Sequence, residues 1–380
     1  MALVVLLCIV LCCSCKSQSD NTFTYIGDVN FPVGFTANDR CSGLFYQDNE
    51  PYYYFGELTS RKIIKIFDKN AKLVKEISLK NLNLPNTYHR MCMPSMDSIV
   101  MLFGHPLIEI LVADSNGKTI FEKWFPPFIR TDTIDYALNA PLSYKPILYN
   151  NKIYLKNDAF KQLSDEMTTE KYVAFRKYAI KEPLICKIEL DDPNKKPIYF
   201  GNDFSKKIFN NDSIERFTSY ATFKIENNYL FDLIEGYGKI LVIDLKTDNI
   251  FKILNIHHKN KPIGIEQRIF KDYQTYSKDE KEALKNWFIK NVIWDKYRKV
   301  YYMFLLKNIG ITSKQTCFIQ IYDQNLNFQK EIKFNGKGTH LYFDNVIITD
   351  KGLMIQDDSP NNNKNIIYKL YVLSLEKSNE

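Results

Sequence analysis

The sequence predicts an all-β fold: a six-bladed β-propeller of four-stranded blades, with two helical insertions on one face. Three observations carry that prediction. A hairpin of two apolar-alternating segments around an Asp-headed turn recurs along the chain at roughly 45–80 residue spacing, and a unit repeated in this way marks a repeat architecture. A shorter aromatic segment, introduced by its own Asn/Asp turn, precedes each hairpin. The two ends of the chain each carry a strand-like segment with no local partner.

The first clear hairpin is Ile63–Leu79, with its turn headed by Asp68. Copies follow at Leu107–Trp124 (turn Asp114-Ser115-Asn116-Gly117), Leu184–Phe200 (Asp191-Asp192-Pro193-Asn194), Ile240–Ile256 (Asp244 to Asn249) and Phe318–Phe334 (Asp323-Gln324-Asn325). Ile366–Leu375 is a half-copy. Alternation of apolar and polar residues marks half-buried strands. Asn and Asp tolerate positive φ and bond their own backbone, which suits hairpin turns. The calcium-loop look of Asp114–Gly117 stops there, because the rest of the twelve-residue pattern is missing.

The leading strands are Tyr52–Glu57, Ile99–Phe103, Ile153–Leu155, Tyr229–Ile234, Val300–Leu306 and Leu353–Gln356. One more apolar segment precedes each, as Val346–Ile348 precedes the last. Four strands per unit in six units, repeated radially, make a propeller whose neighbouring blades cover one another's faces. Ile366–Leu375 reads as a third strand lacking a fourth, and Thr22–Ile26 is spare. Pairing the two closes the ring and removes an exposed edge.

Two segments break the pattern and read as helical. Asp158–Ala179 places Phe160, Leu163, Met167, Phe175 and Ala179 mostly at helical spacing. Pro262–Asn291 contains the capping-box pattern Ser277-Lys278-Asp279-Glu280, followed by Ala283, Leu284, Trp287 and Phe288. In an up-and-down blade, the connection from strand two to three shares an end with the connection to the next blade. Both insertions therefore decorate one face, and the Asp-headed turns lie on the other. Loops on a rigid scaffold are where binding residues concentrate, so the insertion face is the candidate binding face.

Ala2–Cys15 is an uncharged apolar run, too short to span a bilayer comfortably but matching a signal-peptide core. Ser14-Cys15 fits a lipoprotein signal in which Cys15 is lipidated; an uncleaved N-terminal anchor is the other reading. The division expected is 1–15 signal peptide, 16–21 linker and 22–380 propeller domain. Either reading puts the domain in the cell envelope, held to a membrane, with an outer-membrane lipid anchor favoured. Two acyl chains would give the stable attachment one cannot.

The 380 residues are 45% hydrophobic, enough for a large core, and the formal charge is +7. Lysines and acids alternate along the strands without a dense basic run, so solvated faces are expected and nucleic acid is not. Cys41, Cys92, Cys186 and Cys317 lie in or beside apolar strand-like stretches, which favours buried free thiols over bridges. They lack histidines at ligand spacing, so no metal site is expected. No phosphate-cradling glycine loop, GxSxG or HExxH pattern appears, and no cofactor or catalytic residue is assigned.

The first strand of each blade should line the central channel and begin near the insertion face. His89, Arg90, Tyr144, Lys145, Tyr220 and His340 fall there, with Arg130 in the long connection before blade three. Such groups can converge on an anionic or sugar-like ligand. They can equally satisfy inner-strand backbone and bind water.

The signal ending in Cys15, the six units, and the run Val292–Leu306 carry a resemblance. In that run Asp295 heads a turn through Arg298-Lys299 into Tyr301-Tyr302. Together they resemble uncharacterised Bacteroidota lipoproteins with a TolB-like six-bladed propeller. The resemblance implies a cell-envelope lipoprotein and supplies no catalytic residue. The function expected is a lipid-anchored binding or scaffold protein for an envelope protein partner or a glycan. An extracytoplasmic hydrolase or lyase acting on polysaccharide is the alternative.

Overall fold

The computed structural model describes residues 23–35, 41–84, 88–104, 108–125, 129–130, 135–139, 147–160, 185–202, 204, 222–234, 239–256, 287–307, 317–336, 341–357 and 365–373. The first strand is β1 (Phe23–Phe31). Blade one is β2 (Ser42–Gln47), β3 (Glu50–Glu57), β4 (Ile63–Phe67) and β5 (Leu73–Ser78). Blade two is β6 (Tyr88–Ser95), β7 (Ser98–Gly104), β8 (Ile108–Asp114) and β9 (Thr119–Phe125). Blade three is β10 (Ile129–Arg130), β11 (Asp135–Asn139), β12 (Ile147–Tyr149), β13 (Lys152–Phe160), β14 (Ile185–Glu189) and β15 (Ile198–Phe200). Blade four is β16 (Thr222–Glu226), β17 (Tyr229–Ile234), β18 (Lys239–Asp244) and β19 (Asn249–Asn255). Blade five is β20 (Trp287–Asp295), β21 (Val300–Lys307), β22 (Cys317–Asp323) and β23 (Phe328–Phe334). Blade six is β24 (Leu341–Ile348), β25 (Leu353–Asp357) and β26 (Ile366–Leu373), completed by β1 from the other end of the chain.

The closure is antiparallel, with Phe23 opposite Leu373 and Phe31 opposite Ile366. Of the expected segment Thr22–Ile26, Phe23–Ile26 open a nine-residue strand and Thr22 lies outside the described residues. Phe23 and Phe31 at the strand's ends are buried, and between them exposed positions such as Ile26 alternate with half-buried ones.

Two turn chemistries recur. Between first and second strands, Asp48-Asn49, Asn150-Asn151 and Asn227-Asn228 all adopt positive φ, as a two-residue I′ turn requires of both central residues. Between third and fourth strands, one carboxylate organises the loop. Asp68 Oδ1 accepts the N–H groups of Asn70 and Lys72, each at 2.9 Å. Asp114 does the same for Asn116 and Lys118, and Asp323 for Asn325 and Asn327. The fourth turn residue then enters the left-handed region: Ala71, Gly117 and Leu326 at φ 58°, 74° and 59°. Each is followed by a register shift in the ladder, the bulge expected after this turn. The Asp114–Gly117 segment is therefore a hairpin turn.

Every blade-to-blade seam holds an apolar cluster. Blades one and two share Ile64, Met91 and Met101; two and three share Ile110, Ile153 and Cys186. Tyr154 and Leu241 join three to four, Phe231 and Met303 join four to five, and Phe304 and Phe343 join five to six. Phe31, Tyr53 and Tyr368 join six to one. Polar ties reinforce the seams. Asn291 Nδ2 donates to the Phe343 carbonyl at 2.8 Å. Asn345 Nδ2 donates to Ser42 Oγ at 3.0 Å. Arg298, gripped by the buried Asp295 carboxylate at 2.9 Å, reaches the Asp350 carbonyl of blade six at 3.0 Å. Lys187 of blade three pairs with Asp248 of blade four.

Blade three departs from four strands. The strand β13 is long enough to take two inner neighbours, β12 along its first half and β11 along its second. The helical reading of Asp158–Ala179 fails at its start, because Asp158–Phe160 pair with β11. Residues 161–184 lie outside the described residues. The reading of Pro262–Asn291 fails at its end: Trp287 and Phe288 pair with Lys307 and Leu306 in β20. Residues 257–286 lie outside the described residues, so the placement of both insertions on one face does too.

Phe31 is fully buried, with its ring 5.0–5.8 Å from those of Tyr53, Phe55, Phe67 and Tyr368. Replacing a core Phe by Ala costs about 3–5 kcal/mol. Phe31→Ala should therefore lower the urea midpoint strongly, whereas Ile26→Ala, on the same strand but 52% exposed, should stay within about 0.5 kcal/mol of wild type.

Candidate functional site

The inner strands β2, β6, β12, β16, β20 and β24 stand around the axis and enclose a cavity of about 380 Å³. Each contributes a wall: Tyr46, Cys92, Leu148, Glu226, Trp294 and Asn345 come one from each. Residues of an inner strand alternate between the two neighbouring blades, and consecutive ones such as Lys224–Ile225 and Asp344–Asn345 both reach the cavity from the strand's inner edge.

The charged groups on the wall are Lys224, Glu226 and Asp344. Glu226 closes β16 beside the Asn227-Asn228 turn, which puts it at the turn end of the channel. Its Oε2 accepts the Trp294 N–H at 3.2 Å, and its Oε1 lies 3.8 Å from Lys224 Nζ. The side chain keeps 21% of its surface accessible while surrounded by protein. Burial raises the Glu226 carboxyl above the ordinary range, partly offset by Lys224 and the Trp294 N–H. Asp344 is held by Lys290 at 2.7 Å. Asn345 is oriented by Ser42 Oγ and by Gln356 Oε1.

Aromatic rings mark the turn end. Trp294 packs its indole 4.6 Å from the Tyr301 ring. Tyr46 carries Lys296 Nζ 3.5 Å above its ring centroid, a cation–π contact reaching from blade five to blade one. Burial, then the neighbouring Tyr297 and Tyr53, push the Tyr46 hydroxyl upward.

The residues picked from the sequence are placed differently. His89 and Arg90 lie on β6, as expected of an inner strand. Arg90 is buried. It stands opposite Leu102, which stands opposite Ile110, on the side of blade two that faces blade three. Arg130 is not in an open connection: it forms β10, opposite Asp135 of β11. Tyr144, Lys145, Tyr220, His340 and Cys15 lie outside the described residues. Sequence reasoning missed the cavity groups Lys224, Glu226 and Asp344, which nothing in the sequence sets apart from the charges of a half-solvated strand.

Among the described residues, no cluster of His, Cys, Asp or Glu has the spacing of a metal site. Cys41, Cys92, Cys186 and Cys317 are free thiols, three of them buried. Burial pushes Cys186 up to about 12, so it is not a reactive thiolate. A second buried acid lies apart from the cavity. Glu109 on β8 is 2% exposed, and its Oε2 has no hydrogen-bond partner among the described residues. Burial, then the nearby Glu122, raise its carboxyl to about 7.

In fold, the chain is similar to a member of the DUF4221 family from Bacteroides vulgatus, at 14% identity and a TM-score of 0.63, over 93% of this chain and 99% of that one. A Bacteroides fragilis protein whose name describes it as exported is similar at 10% identity and a TM-score of 0.46, over 95% and 98% of the two chains. A luciferin-regenerating enzyme is similar at 9% identity and a TM-score of 0.43, over 91% and 95%. At these identities the likeness is one of fold alone. No protein-family model and no curated protein matches the chain.

Glu109 has a pH consequence. The folded state holds its proton up to about pH 7, whereas an unfolded Glu releases it near 4.5. The folded state thus binds more protons between those values, and stability falls as pH rises through that window. At about 1.36 kcal/mol per unit, the loss is on the order of 2 kcal/mol once partial solvation is allowed for. Urea titrations from pH 4.5 to 7.5 should show this decline in wild type and a flatter profile in Glu109→Gln.

Proposed function

We propose that the chain is a lipid-anchored binding protein of the cell envelope, holding a glycan or a protein partner at the axis of its propeller. The observation that carries the reading is the axial cavity, walled by all six inner strands with carboxylate, amide and aromatic groups together. Small-molecule sites are concave and largely apolar, with a few convergent polar groups.

Strand register supports an orientation. Phe23 pairs with Leu373, at the end of β26, which places the start of β1 on the face of the Asp-headed turns. A tether from a lipidated Cys15 would therefore leave from that face. Eight residue steps at about 3.3–3.6 Å each reach under about 30 Å. The opposite rim, where the inner strands begin, then points away from the membrane. His89, Arg130, Tyr144, Lys145, Tyr220 and His340 are proposed to serve the mouth on that rim, with Arg90 buried in the seam behind it.

The second reading, a hydrolase or lyase acting on polysaccharide, draws on Glu226 and Asp344. Two carboxylates lining one cavity are the raw material of glycoside hydrolysis. Fold alone gives it no weight.

Capture from envelope extract and on a glycan array tests the binding reading. Wild-type protein should fractionate with membranes and retain a partner or glycan. Cys15→Ser should release it to the soluble fraction with capture intact, and Arg130→Ala should weaken capture several-fold. Membrane attachment unaffected by Cys15→Ser would remove the lipid anchor. Release of reducing ends from polysaccharide, lost in Glu226→Gln, would favour the enzyme.

A further inference from the structure

We infer that the axial cavity is a site for a small uncharged saccharide, one or two sugar rings in size, with Glu226, Asp344 and Lys224 as hydroxyl partners and Trp294 as the ring platform. It rests on the glycan-binding reading above and narrows it.

Size comes first. The cavity of about 380 Å³ lies near the lower end of the usual small-molecule range of about 300–1,000 Å³. It admits the end of a glycan and excludes a folded protein surface.

Charge comes second. Each carboxylate on the wall carries its own cation: Lys224 lies 3.8 Å from Glu226, and Lys290 lies 2.7 Å from Asp344. At the turn end, Tyr46 already holds Lys296 over its ring. An anion would meet carboxylates, and a cation would meet carboxylates already neutralised. An uncharged ligand suits a wall whose charges cancel in pairs.

Hydrogen bonding comes third. Glu226 Oε1 lies 3.8 Å from Lys224 Nζ, a loose contact, and a carboxylate oxygen has two lone-pair sites, so it retains acceptor capacity. Asn345 spends both amide N–H groups on Ser42 Oγ and Gln356 Oε1, so the donor on the wall is the Lys224 ammonium, 31% exposed. Sugar hydroxyls donate and accept together and match such a set. A ligand without hydroxyls would leave these groups unsatisfied, which costs affinity. Trp294 is braced by Tyr301 and lines the cavity, so its indole offers a rigid apolar surface to the C–H face of a sugar ring.

The test is tryptophan emission of the full-length protein in mild detergent, titrated with glucose, galactose, mannose, N-acetylglucosamine, maltose and cellobiose, with acetate and methylammonium as ionic controls. At least one saccharide should change emission saturably. The change should vanish in Trp294→Phe, and Kd should rise at least tenfold in Glu226→Gln and in Asp344→Asn while both keep the wild-type melting temperature within a few degrees. The inference is overturned if no saccharide acts, if both carboxyl variants bind as wild type does, or if only an ionic control saturates. Glycan-array capture that persists through any of those outcomes leaves the binding reading standing and removes this one alone; loss of array capture as well removes both.

Discussion

A four-stranded blade has two apolar faces and can cover neither by itself. Each face is therefore buried against the next blade, and the apolar clusters between blades are the core of this protein. A ring of such seams has no free end only if its last blade is complete. Here β26 supplies the third strand of blade six, and β1, from the other terminus, supplies the fourth. The inner strands surround the axis only because that ring is shut, so the cavity depends on the same pairing.

Some polar ties, Asn291 and Asn345, lie buried within the seams, and others sit at the rim beyond the apolar clusters. Arg298 links the β20–β21 turn to the blade-six turn at Thr349–Asp350, at the rim rather than the middle of the seam. Asp295, its partner, is buried, so the pair is less screened than an exposed one. Lys187 and Asp248 play the same part between blades three and four, with Lys187 also over the Phe200 ring at 5.4 Å. These contacts fix the angle between blades and hence the spacing of the inner strands.

Much of this fold was legible from the residues. Alternation exposed the strands, and the Asp at the head of the outer hairpins marked turns whose carboxylate, in blades one, two and five, gathers two backbone N–H groups. The spare segments at the two ends announced the closure. What misled was local. Around Lys290 the ladder of β20 shifts register, so Trp287, Phe288 and Ile289 run together and lose the period of two. A capping-box pattern just upstream then made a helix the better fit. In blade three, β13 continues through Lys156-Asn157-Asp158, where the apolar run ends and a helical spacing begins at Asp158, and β11 pairs with these residues. The cavity escaped notice for another reason. Lys224 and Glu226 alternate like residues of any half-solvated strand, and only the ring turns that side toward the axis.

The account's central claim is that β1 completes blade six and thereby holds the ring. Amide hydrogen exchange tests it directly, comparing the full chain with one lacking residues 1–31. The account predicts that Ile366–Leu373 are strongly protected in the full chain. In the shortened chain their protection should fall at least a hundredfold, with weakened protection spreading into β2–β4 across the Phe31 seam. Equal protection of Ile366–Leu373 in the two proteins would contradict it.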